Sequence, residues 1–131
     1  MAGIVHFSNY YKWMEETEHE FFRSLGLRIM ERQEDGTYIG WPRVNSSCHY
    51  AAPVHYDDLI EGRLWVERIG AKSLTYYLEF WRDEVRVAFG RMKSACCICR
   101  ADGTLTSILI PEEYVRKLSP YCKDSGKTPA E

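Results

Sequence analysis

From Gly3 to Gly26 the chain reads GIVHFSNYYKWMEETEHEFFRSLG, and this stretch limits what the rest can fold into. Ser8 and Asn9 both suit the N-cap of a helix, where a side-chain oxygen accepts one of the first-turn backbone N–H groups. Behind them Tyr10, Trp13, Met14, Thr17, Phe21 and Leu25 recur at helical spacing and make one broad, largely apolar stripe. Glu15, Glu16, Glu18, Glu20 and Arg23 take up much of the rest and read as a solvated face. Gly26 can adopt the left-handed conformation that stops a helix. Roughly 16 residues make a helix about 24 Å long. A stripe of this width needs a large apolar partner, and the remainder of the chain reads as strands. One long helix lying on a sheet is the expectation.

The strands follow in order. Residues 27–41 read as an irregular connection with a turn at Asp35-Gly36. Pro42 to His55 is short, β-branched or aromatic and reads as a strand, with Pro53 at a bulge or edge. Leu59 to Ile69 alternates, with Leu64 and Val66 on one face and Arg63, Trp65 and Glu67 on the other. Leu74, Tyr76, Leu78 and Phe80 then alternate against Thr75, Tyr77, Glu79 and Trp81. Arg82-Asp83-Glu84 turns into a long strand from Val85 to Arg100, and Leu105 to Ile110 makes a last short one. Pro111 suits the first position of a closing helix that runs to about Leu118, with Glu112 and Glu113 at its positive end. The class is α+β, an antiparallel sheet with meander-like turns on one helix. Residues 1–118 form the single domain, and 119–131 read as a flexible tail. Such a sheet leaves edge strands to manage, which favours a dimer.

Composition narrows the function. With 131 residues, a net charge of −2 and no basic excess, nothing points to nucleic acid. No apolar run approaches the roughly 20 residues that span a bilayer, and MAGIVHF lacks the features of a secretory signal, so the expected location is cytoplasmic. Five cysteines at no framework spacing fit reduced thiols. Cys96 and Cys99 form a CxxC, but on a strand residues three apart point to opposite faces, and no second pair completes a zinc site. They read as small buried hydrophobes, and no metal is expected. His6, His19, His49 and His55 show no ligand spacing; His49 and His55 share a parity on one strand, and His6 stands just before the helix. Motifs of serine hydrolases, P-loops and dinucleotide sites are absent from the sequence. What remains is the helix N-terminus, whose N–H groups and positive dipole can hold a carbonyl oxygen that turns negative during reaction.

GIVHFSNYYKWMEE closely resembles the signature of the 4-hydroxybenzoyl-CoA thioesterase family, within the hotdog-fold acyl-CoA thioesterases. In that signature an aspartate opens a segment D-x-x-G-[IV]-V-x-[YFH]-x-[NS]-Y that runs into the long central helix. Gly3, Ile4, Val5, Asn9 and Tyr10 match it, and Gly26, Pro42, Tyr56-Asp57-Asp58 and Pro111 continue the likeness to about Leu118. The resemblance implies a sheet wrapped around the central helix and two such units in a homodimer, with a homotetramer as a further step. It implies hydrolysis of an acyl-CoA thioester to a carboxylic acid and CoA. No cofactor is implied beyond the CoA of the substrate. The backbone N–H of Phe7 would polarise the carbonyl, His6 would line the reacting end, and Gly3, Asn9, Tyr10 and Trp13 would hold the substrate.

Counting back from Gly3, the family's aspartate and the strand before it fall ahead of Met1. Two readings stand. Met1 is an internal methionine of a longer reading frame, or the chain is a naturally short, impaired member that binds acyl thioesters or only dimerises. His6 and Glu16 are the nearest replacements for the carboxylate. Some hotdog enzymes carry a catalytic acid on the central helix, where Glu15, Glu16 or Glu18 stand, although the signature here is of the other type.

Overall fold

The computed structural model describes residues 8–55 and 57–122. Helix α1 (Ser8–Ser24) is followed by strands β1 (Glu31–Arg32), β2 (Tyr38–Gly40), β3 (Arg43–Tyr50), β4 (Glu61–Ile69), β5 (Ser73–Arg82), β6 (Val85–Ala95), β7 (Cys97–Cys99) and β8 (Leu105–Ser107). Helix α2 (Glu112–Leu118) and a 3-10 turn (Ser119–Tyr121) complete the described order. Among the described residues no helix is long and apolar enough to cross a membrane.

Two four-stranded antiparallel sheets result, in the orders β3-β6-β5-β4 and β1-β2-β7-β8. The meander expected from the turns holds for β4, β5 and β6. Strand β3 departs from it, pairing with β6 instead of β4. The chain leaves β3 at Tyr50 rather than continuing to His55, because Ala51 and Ala52 both donate to one acceptor, the Val87 carbonyl, at 2.9 and 3.2 Å. Pro53, with no N–H to offer a ladder, follows in the crossing, and its carbonyl accepts from Arg82 at 2.7 Å.

The run from Val85 to Arg100 is likewise not one strand. Its corner is Cys96, whose N–H donates to Lys72 O at 2.8 Å and whose carbonyl accepts from Ile108 N at 2.9 Å. There the chain passes from the first sheet to the second. The connection after α1 also gains short strands. Asp35 Oδ1 accepts from both Thr37 N (3.0 Å) and Thr37 Oγ1 (2.7 Å), and Gly36 takes φ 88°, so the expected turn folds β2 back on β1. Pro111 is the N-cap of α2, not its first helical residue, while Glu112 and Glu113 occupy the first turn as expected.

Helix α1 packs on the first sheet. Tyr10, Met14, Phe21 and Phe22 are buried against Leu64 and Val66 of β4, Tyr76, Leu78 and Phe80 of β5, and Ala88 and Met92 of β6. The buried face is turned relative to the expected stripe: Phe22 is fully enclosed, whereas Trp13, Thr17 and Leu25 lie half-buried along its margin. Full burial of one such side chain contributes roughly 1.5–3 kcal/mol. Beyond the end of α1, Tyr114 of α2 packs on Phe22 and Trp41 with ring centroids 6.2 and 5.6 Å apart. The chain stays packed through the 3-10 turn, where Tyr121 meets Phe21 edge-on at 5.2 Å.

Where β6 crosses β3, Gly90 lies opposite Cys48 and Leu78, and a Cβ there would stand 2.2 Å from the Ser47 carbonyl oxygen. Backbone must therefore move to admit any side chain. Gly90→Ala is expected to destabilise the fold by about 2 kcal/mol or more, read as a lower urea midpoint at unchanged slope. An unchanged midpoint would contradict this reading of the β3–β6 contact.

Candidate functional site

Helix α1 starts at Ser8 and carries no acidic residue in its first turn, so no carboxylate of its own neutralises the positive end of the dipole. The next residues build an aromatic cluster. Tyr10 meets Trp13 edge-on at 5.0 Å, Tyr50 of β3 at 5.0 Å and Phe80 of β5 at 5.8 Å. Trp13 in turn lies 6.0 Å from Phe80. Burial, with the Cys48 thiol beside it, pushes the Tyr10 phenol up, so Tyr10 stays neutral and serves as a wall rather than an ionised base.

Beside this cluster a groove of about 300 Å³ opens along α1, with Trp13, Thr17, Gly62 and Phe80 on its walls and Asp58 and Leu59 at its rim. Its shape depends on two small details. The Thr17 hydroxyl turns back to donate to Trp13 O at 2.6 Å, and a Cβ on Gly62 would stand 2.9 Å from Thr17 Oγ1. Gly62 thus keeps the groove open. Asp58 is committed elsewhere: it accepts from the His55 N–H at 2.8 Å and pairs with Arg82 at 3.3 Å, which holds its carboxyl below the usual range. Glu16, also on the lining, is exposed. It stands eight residues into α1, about 12 Å along the axis from Ser8.

The acidic face of α1 is not uniformly solvated. Glu18 is 3% exposed, in the middle of the buried face. The signal was present in the sequence, since Glu18 follows Met14 by four and precedes Phe22 by four, and both neighbours are core. Its carboxyl accepts from Ser94 Oγ at 3.4 Å, and the Tyr76 hydroxyl lies beside it without strict hydrogen-bond geometry. Burial pushes its pKa up to about 7, against the opposing pull of Arg43 and of the Tyr76 and Ser94 hydroxyls. At ten residues from Ser8 it is about 15 Å along the helix, out of reach of chemistry at the N-terminus of the same protomer.

Of the residues expected to carry the site, Gly3, His6 and Phe7 lie outside the described residues, as does the side chain of Asn9. Tyr10 and Trp13 are brought together as stated. The cysteines follow their expected packing in part: Cys96 and Cys97 are buried and Cys48 and Cys99 half-buried. Burial raises the thiol of Cys96 to about 12 and that of Cys48 to about 11, far from a reactive thiolate. His49 stacks on Phe89 at 5.1 Å, and His55 faces Asp58 at 3.8 Å. Among the described residues no group of three or more histidine, cysteine or acidic side chains could hold a metal.

Comparison with known proteins agrees with this architecture. A model of the thioesterase superfamily matches residues 2–89. An Aquifex aeolicus protein named "Putative esterase" is 31% identical over 116 residues, 88% of this chain and 85% of its own. A 1,4-dihydroxy-2-naphthoyl-CoA hydrolase of Prochlorococcus marinus is 25% identical over 119 residues, covering 88% and 77%. Among solved structures, a Pseudomonas aeruginosa protein superposes with TM-score 0.76 at 27% identity, covering 92% of this chain and 80% of its own. A gentisyl-coenzyme A thioesterase superposes with TM-score 0.71 at 26% identity, covering 89% and 88%.

Glu18 gives a test of the α1–sheet packing. The unfolded chain ionises this group near 4.5 and the folded chain near 7, so its contribution to stability is whole below about pH 4.5 and is lost as pH rises through about 7. The loss is on the order of 3 kcal/mol. Glu18→Gln is expected to remove that slope, measured as urea midpoints between these limits. Parallel pH profiles for the two proteins would show that Glu18 is not buried as described.

Proposed function

The chain belongs to the thioesterase superfamily, and on that premise we propose that it hydrolyses an acyl-CoA thioester to a carboxylic acid and free CoA. The observation that carries this reading is the meeting of two features at one end of α1. A helix start without a carboxylate of its own is followed, from Trp13 onward, by an aromatic-walled groove of about 300 Å³. The thioester carbonyl would lie on the first-turn N–H groups, around Phe7, which stabilise the oxyanion as the tetrahedral intermediate forms. Trp13 and Phe80 would hold the acyl group. The aromatic wall that these two rings make, tilted at 51° to each other, supports a flat aromatic acyl group, as do the substrates in the names of the naphthoyl-CoA hydrolase and the gentisyl-CoA thioesterase. By the resemblance, His6 would line the reacting end, and Gly3 and Asn9 would hold the substrate together with Tyr10 and Trp13. The reaction as proposed uses no metal and no cofactor besides the substrate's own CoA.

In the family an aspartate attacks the carbonyl or activates water, and the signature places it immediately ahead of Met1, where an in-frame upstream segment would have to supply it. The test is thiol release from a panel of aryl- and alkyl-CoA thioesters, by this chain and by a form extended upstream through an in-frame aspartate. Hydrolysis by the extended form, with aryl-CoA preferred and Trp13→Ala lowering kcat/KM about tenfold or more, supports the reading. Loss of the aspartate is expected to cost a factor of about 100 or more. Acyl-CoA binding without hydrolysis in either form would favour a non-catalytic thioester-binding module instead.

A homodimer joined at β3 is part of the proposal. Among the described residues β3 pairs on one side only, with β6, and its residues 44–50 carry no Asp, Glu, Lys or Arg to discourage pairing. Val44 and Tyr50 are exposed on it. Light scattering is expected to return twice the 15.3 kDa chain mass, and Val44→Asp to shift it toward the monomer. Further pairing into a homotetramer would appear as a second step with concentration. A monomer at all concentrations would remove this part of the proposal.

A further inference from the structure

The groove beside Trp13 has a far end, and one side chain forms it. From α1 the groove takes Trp13, Glu16 and Thr17, and from the sheet Gly62 and Phe80. Phe21, one turn beyond Thr17, is 3% exposed and meets Tyr76 and Tyr121 edge-on at 6.5 and 5.2 Å, so behind Thr17 the space has closed into core. On the sheet side Gly62 of β4 is the register partner of Phe80 of β5. A Cβ on Gly62 would stand 2.9 Å from Thr17 Oγ1, 3.6 Å from Thr17 Cγ2 and 3.5 Å from Phe80 Cε1. Both branches of Thr17 therefore stand over the gap that the glycine leaves.

Threonine is not there for the helix. A β-branched residue in mid-helix loses rotamer freedom, and alanine would suit α1 better. Nor does its hydroxyl tie the helix to the sheet, since it donates back to Trp13 O at 2.6 Å within α1. That bond fixes χ1 and holds the two branches still. What Thr17 supplies to the groove is bulk at a fixed place.

We propose that Thr17 is the end stop of the acyl groove and sets the longest acyl group the site accepts. With the acyl-thioester reading above as its basis, the geometry is simple. The carbonyl is held at the helix start, and the acyl group runs along α1 past Trp13. Thr17 stands nine residues after Ser8, about 13 Å along the axis, with its side chain leaning back toward the start. A single ring on the carbonyl is too short to cover that distance. Two rings joined end to end come up to the stop, so the class it selects among is long, narrow aryl groups of that reach.

The probes are two non-hydrolysable CoA analogues, benzoyl and 4-phenylbenzoyl, each with methylene in place of the thioester sulfur. They are titrated calorimetrically into the chain as it stands, because binding needs no attacking carboxylate. The quantity read is the ratio of the two dissociation constants. Thr17→Ala is expected to shift it about tenfold in favour of 4-phenylbenzoyl, and Thr17→Ile about tenfold against, with benzoyl affinity held within about twofold. Thr17→Val, which keeps the bulk and drops the hydroxyl, should leave the ratio alone. Gly62→Ala should disfavour the longer analogue, and less so beside Thr17→Ala, where the added methyl has room. Urea midpoints establish that each variant is folded.

A ratio unmoved by Thr17→Ala and Thr17→Ile, with both analogues bound, would overturn the end stop and leave the proposed reaction standing. A Thr17→Val shift as large as that of Thr17→Ala would assign the effect to the hydroxyl and overturn it too. Equal loss of both analogues in the variants would make Thr17 a structural residue only. Failure of the unsubstituted chain to bind either analogue would sink the acyl-thioester reading, and the end stop with it.

Discussion

Everything in this molecule depends on the contact between α1 and the inner face of β4, β5 and β6. Met14 and Phe22 from the helix share one core with Leu64, Tyr76, Leu78 and Met92, all fully buried. Seventeen residues of isolated helix with so many glutamates and aromatics would be marginal in water, so the sheet supplies most of the helix's stability. The contact also aims the helix. Tyr10, at its first turn, is locked between Tyr50 and Phe80, so the start of the helix is fixed against the sheet that also supplies a wall of the groove. A change that loosens the packing would move the helix start and the groove together.

The same contact contains its own exception. Glu18 is placed where an apolar residue would be expected, and the fold gives it Ser94, Tyr76 and the nearby Arg43 instead of water. These partners fall short of full solvation, which is why the group holds its proton to about neutral pH. Trp41 is a second such residue, packed well through its ring against Phe22 and Tyr114 and poorly through its N–H. One helix therefore carries two polar regions of different kind. Its N-terminus has no acidic residue in its first turn, and its middle buries a carboxyl that neighbouring hydroxyls and Arg43 satisfy only in part.

Much of this was legible beforehand because the determinants are local. The apolar spacing from Tyr10 to Leu25, the cap residues and Gly26 give α1 its bounds, and alternation gives β4 and β5. The turn at Asp35-Gly36 could be read from residue type alone. What could not be read was set by distant partners. The end of β3 depends on the Val87 carbonyl taking two donors, and the corner at Cys96 depends on Lys72 and Ile108. Nothing within Val85 to Arg100 signals that break. The burial of Glu18 is intermediate, since its spacing from Met14 and Phe22 was visible, yet charge argued for solvent and packing decided otherwise. For the site, the signature around Gly3 to Tyr10 was the most specific message in the chain, while Gly62, which keeps the groove beside Trp13 open, is an ordinary glycine until Thr17 is seen against it.

The central claim is that the start of α1 and the Trp13–Phe80 groove form one site, taking the carbonyl and the acyl group of the same molecule. A crystal structure with a non-hydrolysable aryl-CoA analogue, the thioester sulfur replaced by methylene, tests it directly. The account places the carbonyl oxygen within hydrogen-bond distance, about 3 Å, of a first-turn backbone N–H of α1, with the aryl ring against Trp13. An analogue bound with its carbonyl away from the helix start, or with its ring outside that groove, would contradict it.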